Sequence, residues 1–259
     1  GTEHGHHVNI LRSKSLCGPY EPNPANPILT HFSMKMQNSN IQGLGHADLI
    51  QAPDSSWWMI CLGYRTSGYL LHVMGRETML APVRWDKDAW PVVNGNGTIA
   101  IDMKCNTLPE VPMPLDPVRE EFKYVKRDVP ADSYSSIGLP WGWMSIGNPD
   151  YSRYSLTERE GWLRLHPTST TLDEATSPTF VARRQTELRF CATALIDASH
   201  LAEGSQTGIT AYAAPLNHYD VIVERKNGKL FAKSNIRVGA LSHDDQPIEL
   251  KDAQAYIRI

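Results

Sequence analysis

Residues 45–65 read GHADLIQAPDSSWWMICLGYR, and this stretch decides the fold class. ADLIQA and WWMICLGYR are short runs rich in apolar, β-branched and aromatic residues, and the Pro-Asp-Ser-Ser between them is turn chemistry. The same grammar recurs in HHVNILRS (6–13), ETMLAPVRW (77–85), GWLRLHP (161–167), ELRFCATALI (187–196), GITAYAA (208–214), HYDVIVERK (218–226) and KLFAKSNI (229–236). The last two flank Asn227-Gly228, which supplies the positive φ angles of a tight primed hairpin. No long 3.6-residue periodicity competes with these runs, so the chain is predicted to be all-β.

Residues 104–117, KCNTLPEVPMPLDP, carry four prolines. Proline removes ladder donors and favours extended chain, so the segment reads as a linker between two domains, 1–103 and 118–259. Its interspersed Leu108, Val111, Met113 and Leu115 predict that it packs along the first domain. Before it, the strand sets look like successive four-stranded propeller blades, fewer than a propeller needs. After it, strands follow at sandwich-like spacing, and QAYIRI (254–259) stops on a strand. Both parts read as portions of a longer architecture.

With 25 Lys and Arg against 28 Asp and Glu, the formal net charge of the 259 residues is -3. No basic block recruits nucleic acid or an anionic membrane, so neither partner is expected. No apolar run approaches the ~20 residues of a membrane span. The opening GTEHGHHVNILRS shows neither an initiator Met nor a signal-peptide profile, which leaves the compartment open. His4, His6 and His7 admit a metal reading, but the run continues directly into strand-like sequence, so strand-edge residues are the plainer reading. Cys17, Cys61, Cys105 and Cys191 form no CxxC pair. Cys61 and Cys191 lie in apolar runs and are predicted to be buried thiols.

Taken together, GHADLIQAPDSSWWM (45–59), MGRETMLAPVRWDKDAWPVVNGNG (74–97) and NPDYSRYSLTEREGWLRL (148–165) resemble glycoside hydrolase family 43. The branch is that of β-xylosidases and α-L-arabinofuranosidases with a C-terminal concanavalin A-like sandwich. Residues 1–31 resemble the family's fourth-blade region. The resemblance implies a partial five-bladed propeller, holding the last blades, followed by a partial sandwich. It implies an inverting hydrolase that removes terminal xylose or arabinose from hemicellulose oligosaccharides.

Inversion needs one carboxylic acid and one carboxylate, ~6.5–9.5 Å apart. By resemblance, the base aspartate and an aspartate tuning the acid come from earlier blades, and the acid glutamate sits in a Glu-Gly-Pro motif. No Glu-Gly-Pro occurs here, and Glu3 and Glu77 lie in other motifs, so no catalytic carboxylate is assigned and this chain alone is expected to be inactive. The missing segment, as a separate chain, is an expected partner.

The resemblance assigns Arg76 and Thr2 to sugar binding, with His72 lining the pocket. An arginine fork suits two sugar oxygens, while pairing with Glu77 or a loop carbonyl is the bland alternative. His46 matches a histidine beside a largely hydrated calcium ion at the propeller axis; no cofactor is required. One imidazole makes a poor calcium site, so His46 is read as orienting a hydrated ion, against the alternative of a satisfied core histidine. Asp48 shares its face if the strand is regular. Trp57, Trp58, Trp85, Trp90, Trp141, Trp143 and Trp162 are read as core rather than sugar platforms. Two other classes stay open: a non-catalytic carbohydrate-binding module, and a scaffold remnant.

Overall fold

The computed structural model describes residues 5–32, 40–68, 70–113, 117–126, 137–140 and 142–259. Thr2, Glu3, His4, Leu115 and Trp141 lie outside them. The chain forms two compact units, Gly1–Leu115 with Thr186–Leu188, and Asp116–Gln185 with Arg189–Ile259. No cut at a single linker would have assigned Thr186–Leu188 to the first unit.

The first unit begins with a small ladder, β1 (Leu11–Arg12) on β2 (Glu21–Pro22), extended by a Val8–Leu29 bridge. HHVNILRS is therefore mostly irregular. Its centrepiece is a four-stranded antiparallel meander: β3 (Ile41–Gln51), β4 (Trp57–Arg65), β5 (Glu77–Trp85) and β6 (Pro91–Val93), in the order β3-β4-β5-β6. This is the sheet of one propeller blade. Pro82 is tolerated inside β5 because its carbonyl accepts from Asn94, one residue past the end of β6. Its nitrogen faces that same side, where no ladder partner remains. Leu29, Ile41, Leu44, Met59, Ala81 and Val93 form the core, each at most 1% exposed.

The tryptophans behave as packing residues. Trp58 and Trp90 are buried, Arg12 lies 3.9 Å over the Trp90 ring, and Trp57 meets Trp85 edge-on at 5.3 Å. Cys61 is buried, which pushes its thiol up to about 11. Cys191 is exposed, contrary to expectation. The physical reason is that ELRFCATALI is no continuous strand, and its backbone pairing with the last strand starts only at Ala192, one residue past the cysteine.

The second unit opens with two short two-stranded ladders around Leu139, Tyr154 and Leu156. These are β7 (Trp143–Met144), β8 (Tyr154–Ser155) with β9 (Arg164–Leu165), and β10 (Ala182–Arg183), which pairs back to β7. Then follow β11 (Thr193–Asp197), β12 (Gln206–Ala214), β13 (Asn217–Lys226), β14 (Lys229–Val238), β15 (Leu241–Asp244), β16 (Ile248–Glu249) and β17 (Gln254–Arg258). The main sheet runs β12-β13-β14-β15, with β16 also on β14, while β11 pairs β17. Val223 and Leu230 of the main sheet and Ile257 of β17 share one buried cluster, so the two sheets stack as a sandwich. The β13–β14 hairpin turns on Asn227 (φ 53°) and Gly228 (φ 74°), as its sequence predicts.

Asp197 ends β11 by accepting from Arg159 at 2.6 Å, Gln254 at 2.9 Å and the Ser199 amide, and these donors hold its carboxyl well below the usual carboxylate range. On the opposite face from the core, buried His218 sits between Asp220 (2.8 Å) and Asp173 (3.1 Å).

The linker departs from its prediction. Val111 is 73% and Met113 80% exposed, and only Leu108 of the described apolar side chains is partly covered. Prolines 109 and 112 deny the segment a ladder that could turn its apolar residues to one side. Limited trypsinolysis of the native protein is therefore expected to cut first after exposed Lys104. Mass spectrometry of the early fragments checks this, and survival of that bond while sites within the sheets are cut would contradict it.

Candidate functional site

The pairing of β3 with β4 is uneven. Gln42 faces Tyr64, Gly45 faces Leu62 and Asp48 faces Ile60, so β3 twice takes three steps where β4 takes two. Each irregularity is a β-bulge, and within the extra residues Gly43 (φ 67°) and His46 (φ 52°) are left-handed. At 43 only glycine serves: an added Cβ would lie 2.3 Å from a Tyr64 ring carbon. At 45 a Cβ would lie 2.3 Å from the His6 ring, whose Nδ1 is 3.2 Å from the Gly43 carbonyl. His6 is thus a packing residue of this bulge, and His7 bonds locally to the Gly5 carbonyl and Asn9.

His46 is exposed in this chain. The first bulge uses glycine at its left-handed position; the second carries a histidine where a left-handed L-residue costs ~1–2 kcal/mol. Backbone strain of this kind concentrates at functional positions. The bulge also corrects the expectation for Asp48, because the strand is not regular there and simple alternation does not relate the two side chains.

His46→Gly is accordingly expected to leave stability unchanged or raise it by up to ~1 kcal/mol, since glycine relieves the strain and nothing buried is lost. Urea melts of the two proteins check this; a clear loss of stability would make His46 a structural residue.

Arg76 is exposed and immediately precedes β5. The register sets Gly45, Leu62 and Thr78 on one rung. His46 lies one residue to one side of that rung and Arg76 two residues to the other, with two strand spacings, ~10 Å, between their strands across the sheet. His72 is half-buried and stacks on Tyr64 with ring centroids 4.0 Å apart. Tyr64 pairs with Gln42 at the same end of the blade. Thr2, the fourth expected site residue, lies outside the described residues.

Two groups escape sequence reasoning. Glu77, offered there as a partner for Arg76, is held by Arg65: Nε to Oε2 at 3.0 Å and Nη2 to Oε1 at 2.9 Å. They stand twelve residues apart, and only the β4–β5 register joins them. His31 is 1% exposed and links three segments. Its Nδ1 donates to the Ile41 carbonyl at 2.8 Å and its Nε2 accepts from the Ile99 amide at 2.9 Å.

Among the described residues no group of three or more His, Cys, Asp or Glu side chains could hold a metal ion, and no helix is long and apolar enough to cross a membrane. His46 offers calcium a single imidazole, so these residues do not by themselves form a calcium site. In the second unit, an open groove of about 550 Å³ is lined by Asn148, Ser177, Tyr212 and Pro215 among others. Its polar groups are largely spoken for: Ser177 Oγ accepts from the Asn148 amide, and Tyr212 stacks on His218.

Known proteins carry the same two parts. The family model described as glycosyl hydrolases family 43 matches residues 1–91, and that of the beta xylosidase C-terminal concanavalin A-like domain matches 131–259. A non-reducing end alpha-L-arabinofuranosidase of Bacteroides ovatus is 38% identical over 232 residues, covering 90% of this chain and 41% of that protein. A xylosidase/arabinosidase of Butyrivibrio fibrisolvens is 29% identical over 233 residues, covering 89% of this chain and 42% of its own. The solved Bacteroides ovatus Xyloglucan PUL GH43B structure superposes with a TM-score of 0.83 at 34% identity, over 100% of this chain and 48% of that one. The chain thus spans about two fifths of the length of these curated relatives. Its blade matches the family's propeller domain and its sandwich the family's C-terminal domain, and the chain belongs to glycoside hydrolase family 43.

Proposed function

We propose that this chain is a portion of an inverting glycoside hydrolase that removes terminal arabinose or xylose from hemicellulose oligosaccharides. The carrying observation is that His46, strained into a left-handed bulge of β3, and Arg76, exposed at the head of β5, belong to one blade within the matched family segment, on either side of the Gly45–Leu62–Thr78 rung. A B. ovatus relative named as an arabinofuranosidase and a B. fibrisolvens relative named for both sugars support the substrate class.

In this reading Arg76 presents its planar fork to two oxygens of the terminal sugar, with Thr2 beside it and His72 on the wall. His46 faces the axis, where it orients water or a hydrated calcium ion. The acid and base carboxylates come from propeller blades outside this chain, and no proton transfer is assigned to its own residues. The propeller portion is residues 1–103 and the sandwich portion is 118–259.

The test is Arg76→Ala in an enzyme that also carries the preceding propeller blades. Losing a charged, bidentate sugar contact should lower kcat/KM by ~10²-fold or more, since a hydrogen-bonded charge contributes ~1.5–3 kcal/mol and positioning adds to it. Unchanged kinetics on aryl arabinofuranosides and xylosides would remove Arg76 from the site.

A further inference from the structure

We infer that Arg65 is a positioning residue for Arg76, holding it through a clasp on Glu77; this rests on the sugar-binding reading of Arg76. Arg65 closes β4 and Glu77 opens β5, and between them runs the loop that carries His72 and Arg76. Without a fastening, that loop would leave the first residues of β5 free to fray. The Arg65 guanidinium fastens it at three points. Two of its nitrogens grip the Glu77 carboxylate, at 3.0 and 2.9 Å. Nη2 also lies 3.7 Å from the sulfur of buried Met74, two residues before Arg76. The same nitrogen donates to the Thr186 carbonyl at 2.7 Å.

Arg76 therefore stands between two anchored neighbours, Met74 and Glu77. The Arg65 and Glu77 side chains are each only 26% exposed, so the pair is screened from water on most sides. A bidentate arginine–carboxylate pair fixes direction as well as distance. Lysine, a point charge on a flexible stem, cannot reproduce the planar bidentate fork. The Thr186 contact gives the clasp a second role, because Thr186–Leu188 is the piece of later sequence that belongs to the first unit. Arg65 thus joins that piece to the strand bearing the sugar-binding residue.

Two measurements test this. In the 259-residue chain, Arg65→Gln should speed tryptic cleavage of the Arg76–Glu77 bond several-fold, while cleavage after Lys104 keeps its rate as an internal reference. In the enzyme carrying the preceding blades, Arg65→Gln should lower kcat/KM by roughly ten- to hundredfold, because a small misplacement of a positioning group costs that much. The loss should follow the same split between KM and kcat as Arg76→Ala, and Arg65→Lys should restore only part of it. The double variant should be no worse than Arg76→Ala alone, since both act through one contact.

Additive losses in the double variant, full rescue by Arg65→Lys, or an unchanged Arg76–Glu77 cleavage rate would each overturn the inference. If Arg76→Ala has no effect while Arg65→Gln still loosens the bond, the clasp exists but the sugar role of Arg76 falls, and the positioning proposal falls with it.

Discussion

The 259-residue chain on its own is expected to release no p-nitrophenol from aryl arabinofuranosides or xylosides above the uncatalysed rate. Inversion at the anomeric carbon needs an acid to protonate the leaving oxygen and a base to activate water, ~6.5–9.5 Å apart. Among the described residues, the carboxylates near Arg76 and His46 are not arranged as such a pair. Glu77 is tied up by two nitrogens of the Arg65 fork. Asp48 stands exposed on β3.

Adding the propeller region that precedes the matched segment in the B. ovatus relative, either fused or as a separate chain, should restore turnover. Each proton-transfer group typically contributes ~10²–10⁴-fold, so the two assays should differ by at least ~10⁴-fold. The product of the restored reaction should show the inverted anomer by NMR. Turnover by the chain alone, abolished by Asp48→Asn, would instead place a catalytic carboxylate on β3.

What the sequence made legible was whatever depended on neighbours in the chain. The Asn227-Gly228 turn is local chemistry, and ETMLAPVRW pairs as one strand from its first residue to its last. The double bulge of β3 was hidden for a physical reason. In IQGLGHADLIQ the extra residues keep the composition of a strand while changing its register, and alternation cannot reveal an irregularity that occurs twice and restores the phase. The linker misled for the opposite reason: apolar residues among prolines look like a packed strap, but hydrophobicity alone names no partner, and Val111 and Met113 have found none. Family likeness, not patterning, pointed to Arg76 and His46. The clasp of Arg65 and the bridge of His31 needed the register and the tertiary contacts.

His31 carries the largest stability effect expected in the blade. Its buried imidazole joins the chain before β3, the start of β3 and the segment after β6. A carbonyl can only accept, so Nδ1 bears the proton and Nε2 is bare; the ring is neutral and of fixed tautomer. His31→Ala would remove the ring donor to the Ile41 carbonyl and leave the Ile99 amide without its acceptor, at ~1–3 kcal/mol for a buried group left unpaired, and leave a cavity besides. A loss of ~3–5 kcal/mol is expected in urea melts, near the whole stability of many domains.

His31→Gln, whose amide offers one donor and one acceptor at similar separation, should lose less. The ring also writes a pH signature. Burial lowers its pKa from the ordinary 6.5, with the Ile41 hydrogen bond opposing weakly. The unfolded chain therefore binds a proton near pH 6.5 that the folded chain refuses. The contribution is complete above that pH and shrinks as pH falls below it, by at most ~1.4 kcal/mol per unit until the folded pKa is reached. The stability gap between the native protein and His31→Gln should accordingly narrow between pH 7.5 and pH 5. A gap that stays constant or widens on acidification would mean that His31 takes its proton without leaving the fold.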